Sequence, residues 1–149
     1  MSVPHLIWPQ EDVIARQIQI EEAKRILIAA RQSDFKEEII NAIIEKYNGT
    51  QIAVKIIGLN DIGQESPENY KAVIVLNTCM SWDMDRNVNS FLKAYPNSDN
   101  IIILTTSGDG GWLPKKKGRQ FDAISSASKI ADVDKISKEI IEKINHLLN

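Results

Sequence analysis

The chain has little of what most catalytic centres are made from. It contains one cysteine, Cys79, so no disulfide can close within it and paired-cysteine metal motifs are absent. Its two histidines, His5 and His146, stand near opposite ends, which leaves scant material for a zinc site or a histidine-based triad. No apolar run reaches the ~18 residues that read as a membrane span. The stretch Met1–Pro9 lacks a basic region and a long apolar core, so it does not read as a signal peptide. A cytoplasmic protein is expected on that ground; a leader replaced by Met1 would leave the same sequence and an exported protein. The net charge of −2 gives no reason to expect nucleic acid or an anionic membrane as a partner.

What is present suits one soluble α/β domain. The length of 149 residues, 43% of them hydrophobic, is enough for a full core. Short β-branched runs recur: Arg25–Ala30, Gln51–Ile57, Lys71–Leu76 and Ile101–Leu104. Continuous apolar runs without alternation suit strands buried on both faces of a parallel sheet. Lys55 and weaker alternation put the second run at or near an edge. Amphipathic helices fall between the runs. Asp34 reads as an N-cap with Glu37 at N3, Ile39, Ile40, Ile43, Ile44 and Tyr47 form one face, and Asn48–Gly49 stops the helix. A second helix spans about Asp85 to Ala94 with Val88, Phe91 and Leu92 inward. Asp132 caps a third, with Val133, Ile136, Ile140, Ile144 and Leu147 inward. Residues 58–69 read as a loop. Before all of these, Trp8–Val13 opens an expected helix, with Pro9 in its first turn and Val13, Ile14 and Ile18 as a rough apolar face.

The chemistry-bearing residues cluster after the strands. The stretch Ile101–Trp112 (IIILTTSGDGGW) breaks from an apolar run into hydroxyls, glycines and an aspartate. Open α/β sheets bind ligands at the carboxyl ends of their strands. Residues Thr105–Asp109 form either an anion-binding backbone nest or a turn rich in side-chain to backbone bonds. Cys79 follows a buried strand and reads as a structural thiol sooner than as a nucleophile. Asp83, Asp85 and Asp109 can gather at the same cleft, with capping and loop solvation as their simpler roles. Lys115–Lys117 and Arg119 make a basic loop, of the kind that is usually a solvated tip.

The order of elements resembles the flavodoxin-like fold over roughly Lys24 to the C-terminus. The resemblance implies a three-layer α/β sandwich on a parallel sheet of four or five strands, ordered 2-1-3-4 with a short fifth, plus an extra N-terminal helix. The chain then divides into an N-terminal helical extension, residues 1–23, and a flavodoxin-like domain, residues 24–149. Flavodoxins hold flavin mononucleotide (FMN) with three loops, the first cradling the phosphate and the other two flanking the ring. Trp82 lies after the third strand and Trp112 after the fourth, in the ring-flanking positions. The first loop, Ala30–Phe35, departs from the family pattern: it has no glycine and one hydroxyl, and it carries Asp34. The segment Asp122–Ser128 also resembles a motif that carries flavin as a phosphoester, with Ser126 replacing a glycine and Ser128 a threonine. Its other reading is a short edge strand or a turn entering the last helix.

The candidate cofactor-binding residues are therefore Arg31, Gln32, Ser33, Thr78, Ser81, Trp82, Thr106, Ser107, Gly108, Asp109 and Trp112. The reading leans away from an enzyme. A divergent flavodoxin-like domain binding a flat or anionic small molecule, or a partner, comes first. An FMN electron-transfer protein meeting a redox partner comes second, and a small hydrolase using Ser81 or Cys79 without an evident base comes third. Oligomeric state is not fixed by these residues.

Overall fold

The computed structural model describes residues 11–18, 24–79, 83–108 and 110–149. Six strands form one sheet: β1 (Arg16–Ile18), β2 (Lys24–Ala30), β3 (Ile52–Gly58), β4 (Ala72–Thr78), β5 (Ile101–Thr106) and β6 (Asp122–Ser126). Their spatial order is β1-β3-β2-β4-β5-β6. Strands β2 to β6 run parallel, and only β1 is antiparallel, against β3. The parallel part reads 2-1-3-4-5 when its strands are counted from β2, the doubly wound order in which ligands bind at the carboxyl edge. The ambiguous segment at 121–128 is thus a strand, and it supplies the fifth parallel member.

Among the described residues three α-helices complete the layers: α1 (Asp34–Tyr47), α2 (Arg86–Ala94) and α3 (Val133–Leu148). The first face of the sheet carries α1 and α3. There Ile26, Ile28, Ile74, Leu76, Ile102 and Leu104 pack against Ile39, Ile43, Ile140 and Ile144. The opposite face carries α2, with Leu27, Val73, Val75, Ile101 and Ile103 against Val88, Phe91 and Leu92. Fully burying each such side chain contributes about 1.5–3 kcal/mol. That second face has no further α-helix among the described residues. Its remaining cover comes from the 3-10 turn Leu59–Gln64, from Tyr70 just after a second turn (Pro67–Asn69), and from Trp112 and Phe121 in the β5–β6 connection.

The expected N-terminal helix is not found over residues 11–18. Val13 is 5% exposed whereas Ile14 is 82% exposed, the alternation of an extended chain. Arg16, Gln17 and Ile18 pair with Ile56, Lys55 and Val54. The gain is backbone pairing: β3 would otherwise present a row of open N–H and C=O groups at the sheet edge. The remainder of the expected helix lies outside the described residues. A smaller correction concerns α1, whose N-cap is Ser33; its side chain accepts from the Lys36 N–H at 3.1 Å, and Asp34 is the first helical residue.

Just before β1 the chain crosses the carboxyl ends of β2 and β3. Asp12 bridges to Arg31, and Gln32 N–H donates to the Glu11 carbonyl at 2.7 Å. This crossing requires glycine at position 58, where a Cβ would stand 2.5 Å from Asp12 Cβ and 2.3 Å from Asp12 Oδ2. Since the carboxylate, Cγ and Cβ of Asp12 would all stand 2.5 Å away or closer, the whole segment must shift to admit a methyl. Gly58→Ala is expected to lower stability by about 1–3 kcal/mol through overpacking. In Asp12→Gly, which removes all three of these atoms, the same substitution should cost less than half as much, as denaturant midpoints will show.

Candidate functional site

Two layers of polar side chains end the three strands β4, β5 and β6. Thr78, Thr106 and Ser126 are register partners across the three strands, on the face covered by α1 and α3. One residue earlier, Asn77, Thr105 and Ser125 form the matching row on the α2 face. Asn77 is fully buried, donates to Thr105 Oγ1 at 3.2 Å and accepts the Asp85 N–H at 2.9 Å. It therefore ties the end of β4 to the start of α2. Thr105 and Thr106 belong to β5 rather than to the loop that follows, and both are buried. Thr106 Oγ1 donates to the Asn77 carbonyl at 3.4 Å. Ser126 Oγ is buried with no hydrogen-bond partner among the described residues.

Lys36 completes the first of these rows. It sits in the first turn of α1, is 3% exposed, and its ammonium donates to Thr78 Oγ1. Burial lowers its pKa from 10.5 to about 8; nearby Asp85 raises it and Arg31 lowers it. Lys36 is not among the candidate residues singled out from sequence. A signal was available, because Lys36 stands three, four and seven positions before Ile39, Ile40 and Ile43 and so shares their buried stripe.

The first loop is closed by the protein itself. Arg31 Nη1 donates to Asp12 Oδ1 at 2.5 Å and to Asn60 Oδ1 at 2.7 Å, and Arg31 Nε donates to Asp85 Oδ2 at 3.1 Å. The guanidinium is thus committed to two carboxylates. Gln32 is exposed, with its N–H on Glu11, and Ser33 caps α1. A phosphate here would compete with Asp12 for Arg31 and with Glu11 for a backbone donor. These residues do not fit the phosphate of FMN.

The loop after β5 is built differently. Ser107 N–H donates to the Ser126 carbonyl at 3.0 Å, and Ser107 Oγ accepts from the N–H groups of Gly110 at 3.1 Å and Trp112 at 3.5 Å. Gly110 has a φ of 77° and lies against Ala127, 3.0 Å from the place of a Cβ to its backbone nitrogen, so a larger residue is excluded. Gly108 is exposed, and a Cβ there would meet nothing within 4 Å. The turn delivers Trp112, half-buried, to the edge of the second core cluster.

Trp112 lines a cleft of about 320 Å³ together with Asp83, Met84 and Asn89 on one side and Leu113, Pro114, Lys115, Lys117 and Arg119 on the other. This volume is at the lower end of the range for small-molecule sites. Arg119 forms the structural part of its wall. Read from sequence as part of a solvated tip, it is in fact 8% exposed. Its guanidinium donates to the carbonyls of Lys115 and Lys116 at 2.8 Å each and to Asn89 Oδ1 at 3.1 Å, which pins the basic loop to α2. Among the described candidates Trp112 is the one that lines the cleft. Thr78 and Thr106 lie in the hydroxyl row, and Arg31 meets the approach to α2 through Asp85. Ser81, Trp82 and Asp109 lie outside the described residues. Ser128 is exposed with a φ of 59°, two residues past the end of β6.

A larger hollow of about 640 Å³ lies at the first residues of β5 and β6 and shares Arg119 with the cleft. It is lined by charges of both signs, and Lys143 and Asp122 pair with each other at 2.8 Å. His146 stands there, at the other end of the sheet from Cys79. Among the described residues no group of three or more His, Cys, Asp or Glu side chains is placed to hold a metal ion, and no helix is long and apolar enough to cross a membrane.

No protein-family model matches the chain, and no curated protein matches it by sequence. Solved structures do resemble it. A histidine-to-asparagine mutant of a flavo di-iron protein from Thermotoga maritima matches with a TM-score of 0.54 at 16% identity, covering 85% of this chain and 36% of that one. A histidine-to-aspartate mutant of the Thermotoga maritima flavo di-iron protein gives 0.50 at 13%, covering 83% and 36%. A flavodoxin from the domain Archaea gives 0.45 at 13%, covering 82% and 99%. The chain spans about a third of the length of the flavo di-iron proteins. At these identities the likeness is one of fold.

Proposed function

We propose that this flavodoxin-like domain binds a flat conjugated ring of the flavin type at the carboxyl ends of β4 and β5, and holds it by the ring rather than by a phosphate. One contrast carries the reading. The loop that would cradle a phosphate is filled by Glu11 and Asp12, whereas the cleft beside Trp112 is open. An indole face offers stacking to a flat ring, and the apolar side chains of Met84, Leu113 and Pro114 supply the rest of an aromatic-sized slot. Asp83, Lys115 and Lys117 at its rim can set orientation through polar groups of the ring. A partner protein docking on the same loops is the second reading, favoured by Leu113, which is 49% exposed beside the cleft.

Titration of the protein into riboflavin and into FMN, followed by flavin fluorescence, tests this directly. The two ligands should bind with Kd values within about threefold of each other, since the phosphate adds nothing. Trp112→Ala should weaken both about tenfold, the equivalent of ~1.4 kcal/mol of lost ring contact. If neither flavin binds, or if FMN binds more than about tenfold tighter than riboflavin, the reading fails.

A further inference from the structure

Asp12 is held in the way a bound anion is held. One carboxylate oxygen receives Arg31 Nη1 at 2.5 Å and the other receives the backbone N–H of Asn60 at 3.0 Å. The carboxylate rests directly over Gly58, whose missing side chain makes the room. Both charged side chains are largely withdrawn from water, Arg31 at 12% exposure and Asp12 at 19%. The donors come from the ends of two adjacent strands, Arg31 in the first loop after β2 and Asn60 shortly after β3, so the socket joins the first loop to the seam between those strands.

The donors do not depend on Asp12 for their positions. Arg31 Nε remains on Asp85, and Arg31 Nη1 remains on the Asn60 side chain, which also accepts from Asn87 Nδ2 at 3.2 Å. Removing the Asp12 carboxylate would leave a guanidinium and a backbone N–H aimed at one point. It would also change the charge balance. Arg31 pairs with Asp12 and Asp85, and Lys36 lies near Asp85, so without Asp12 two cationic groups remain beside one anionic group. An oxyanion is the ligand this arrangement would take, with an arginine and a backbone donor in the roles they commonly play toward phosphate.

We propose that Arg31 and the Asn60 backbone form a site for a phosphate group, and that Asp12 is its built-in occupant, which keeps the site closed while the N-terminal segment lies across β2 and β3. The segment is then a tethered competitor for the phosphate. Lifting it uncovers the socket without any rearrangement of the sheet.

Isothermal titration of inorganic phosphate into the full-length protein, at fixed ionic strength against chloride, tests the proposal. Asp12→Ala should bind phosphate at least about tenfold more tightly than wild type, and Asp12→Ala with Arg31→Gln should lose that gain. Equal affinity in wild type and Asp12→Ala overturns the proposal, as does undiminished binding in the double variant. If Asp12→Ala is unfolded in chloride, phosphate should restore its circular dichroism by binding the native state, and failure to do so is equally fatal. Asp12→Ser, which leaves a small hydroxyl over Gly58, should show a smaller gain than Asp12→Ala. This inference is tested apart from the flavin reading: inorganic phosphate probes the socket alone, whereas riboflavin, which carries no phosphate, and Trp112→Ala probe the ring cleft alone.

Discussion

Moving the buffer from pH 7 to pH 9.5 should stabilise this protein by about 2 kcal/mol, raising Tm by roughly 4–8 °C for a chain of this size. Lys36 is the cause. Burial strips water from its ammonium and lowers its pKa to about 8, against 10.5 in an unfolded chain. Between those two values the unfolded chain holds a proton that the native protein has released, so stability rises with pH across that window. The rise should stop near pH 10. Tyr47 and Tyr70 are held near 12, Tyr47 by burial and Tyr70 by burial with its hydrogen bond to Glu65. Above pH 10 the unfolded chain loses their phenolic protons first, and stability falls. A maximum near pH 10 is therefore expected in thermal melts. Lys36→Met should abolish the rise and add about 1–3 kcal/mol at pH 7, because it removes a buried charge that has one hydroxyl as its hydrogen-bond partner. A Tm that falls from pH 7 to pH 9.5, or a rise that survives in Lys36→Met, would show that the lysine is not the titrating group.

The parts of the fold set by local pattern were legible in the sequence, and those set by distant contacts were not. Runs such as Ile101–Leu104 are buried on both faces, and a continuous apolar run leaves few other solutions. The stripe Ile39, Ile40, Ile43 likewise identifies its own inward face. The segment at 11–18 has no such constraint. Val13, Ile14 and Ile18 fit helical spacing as well as they fit a strand, and the choice is made by the open edge of β3, some forty residues further along the chain. Strand β1 is three residues long, too short to carry a pattern of its own.

The candidate site divides along the same line. Trp112 was legible because an aromatic residue after a buried strand, beyond a glycine turn, is a local feature. Arg31 was legible as a charge in the first loop, but its partners Asp12 and Asp85 are 19 and 54 residues away. Nothing local to Arg31 says that it is already paired. Arg119 has the same history: its bonds to Lys115 and Lys116 are local, yet its burial depends on Asn89 and on the wall of α2. The polar ends of β4, β5 and β6 were visible one strand at a time. Their alignment in two rows follows from register, which a single strand does not reveal.

Asp85→Ala should be among the most damaging single substitutions at this end of the sheet, costing about 3–4 kcal/mol. Its carboxylate serves three groups. Oδ1 accepts the Asn87 N–H at 2.8 Å and caps α2, a contribution of about 1 kcal/mol. Oδ2 accepts Arg31 Nε at 3.1 Å, and the negative charge raises the pKa of Lys36. Removing it leaves two largely buried cations with less compensation, at a further cost of about 2–3 kcal/mol. Asp85→Asn separates these roles, because asparagine caps a helix about as well as aspartate but carries no charge. It should retain the cap and lose most of the remainder. The lysine gives the argument its sharpest check. In Lys36→Met one of the two cations is already gone, so Asp85→Ala should cost about 1 kcal/mol less than in wild type. In Asp85→Ala alone the Lys36 pKa should fall further, and the stabilising rise with pH should begin at a lower pH. Additive costs for the two substitutions in a double-mutant cycle, with Asp85→Asn as stable as wild type at pH 7, would reduce Asp85 to a helix cap. Coupling of the expected size would show that the start of α2, next to Asp83 and Met84 of the cleft wall, is held in place by the same charges that close the first loop.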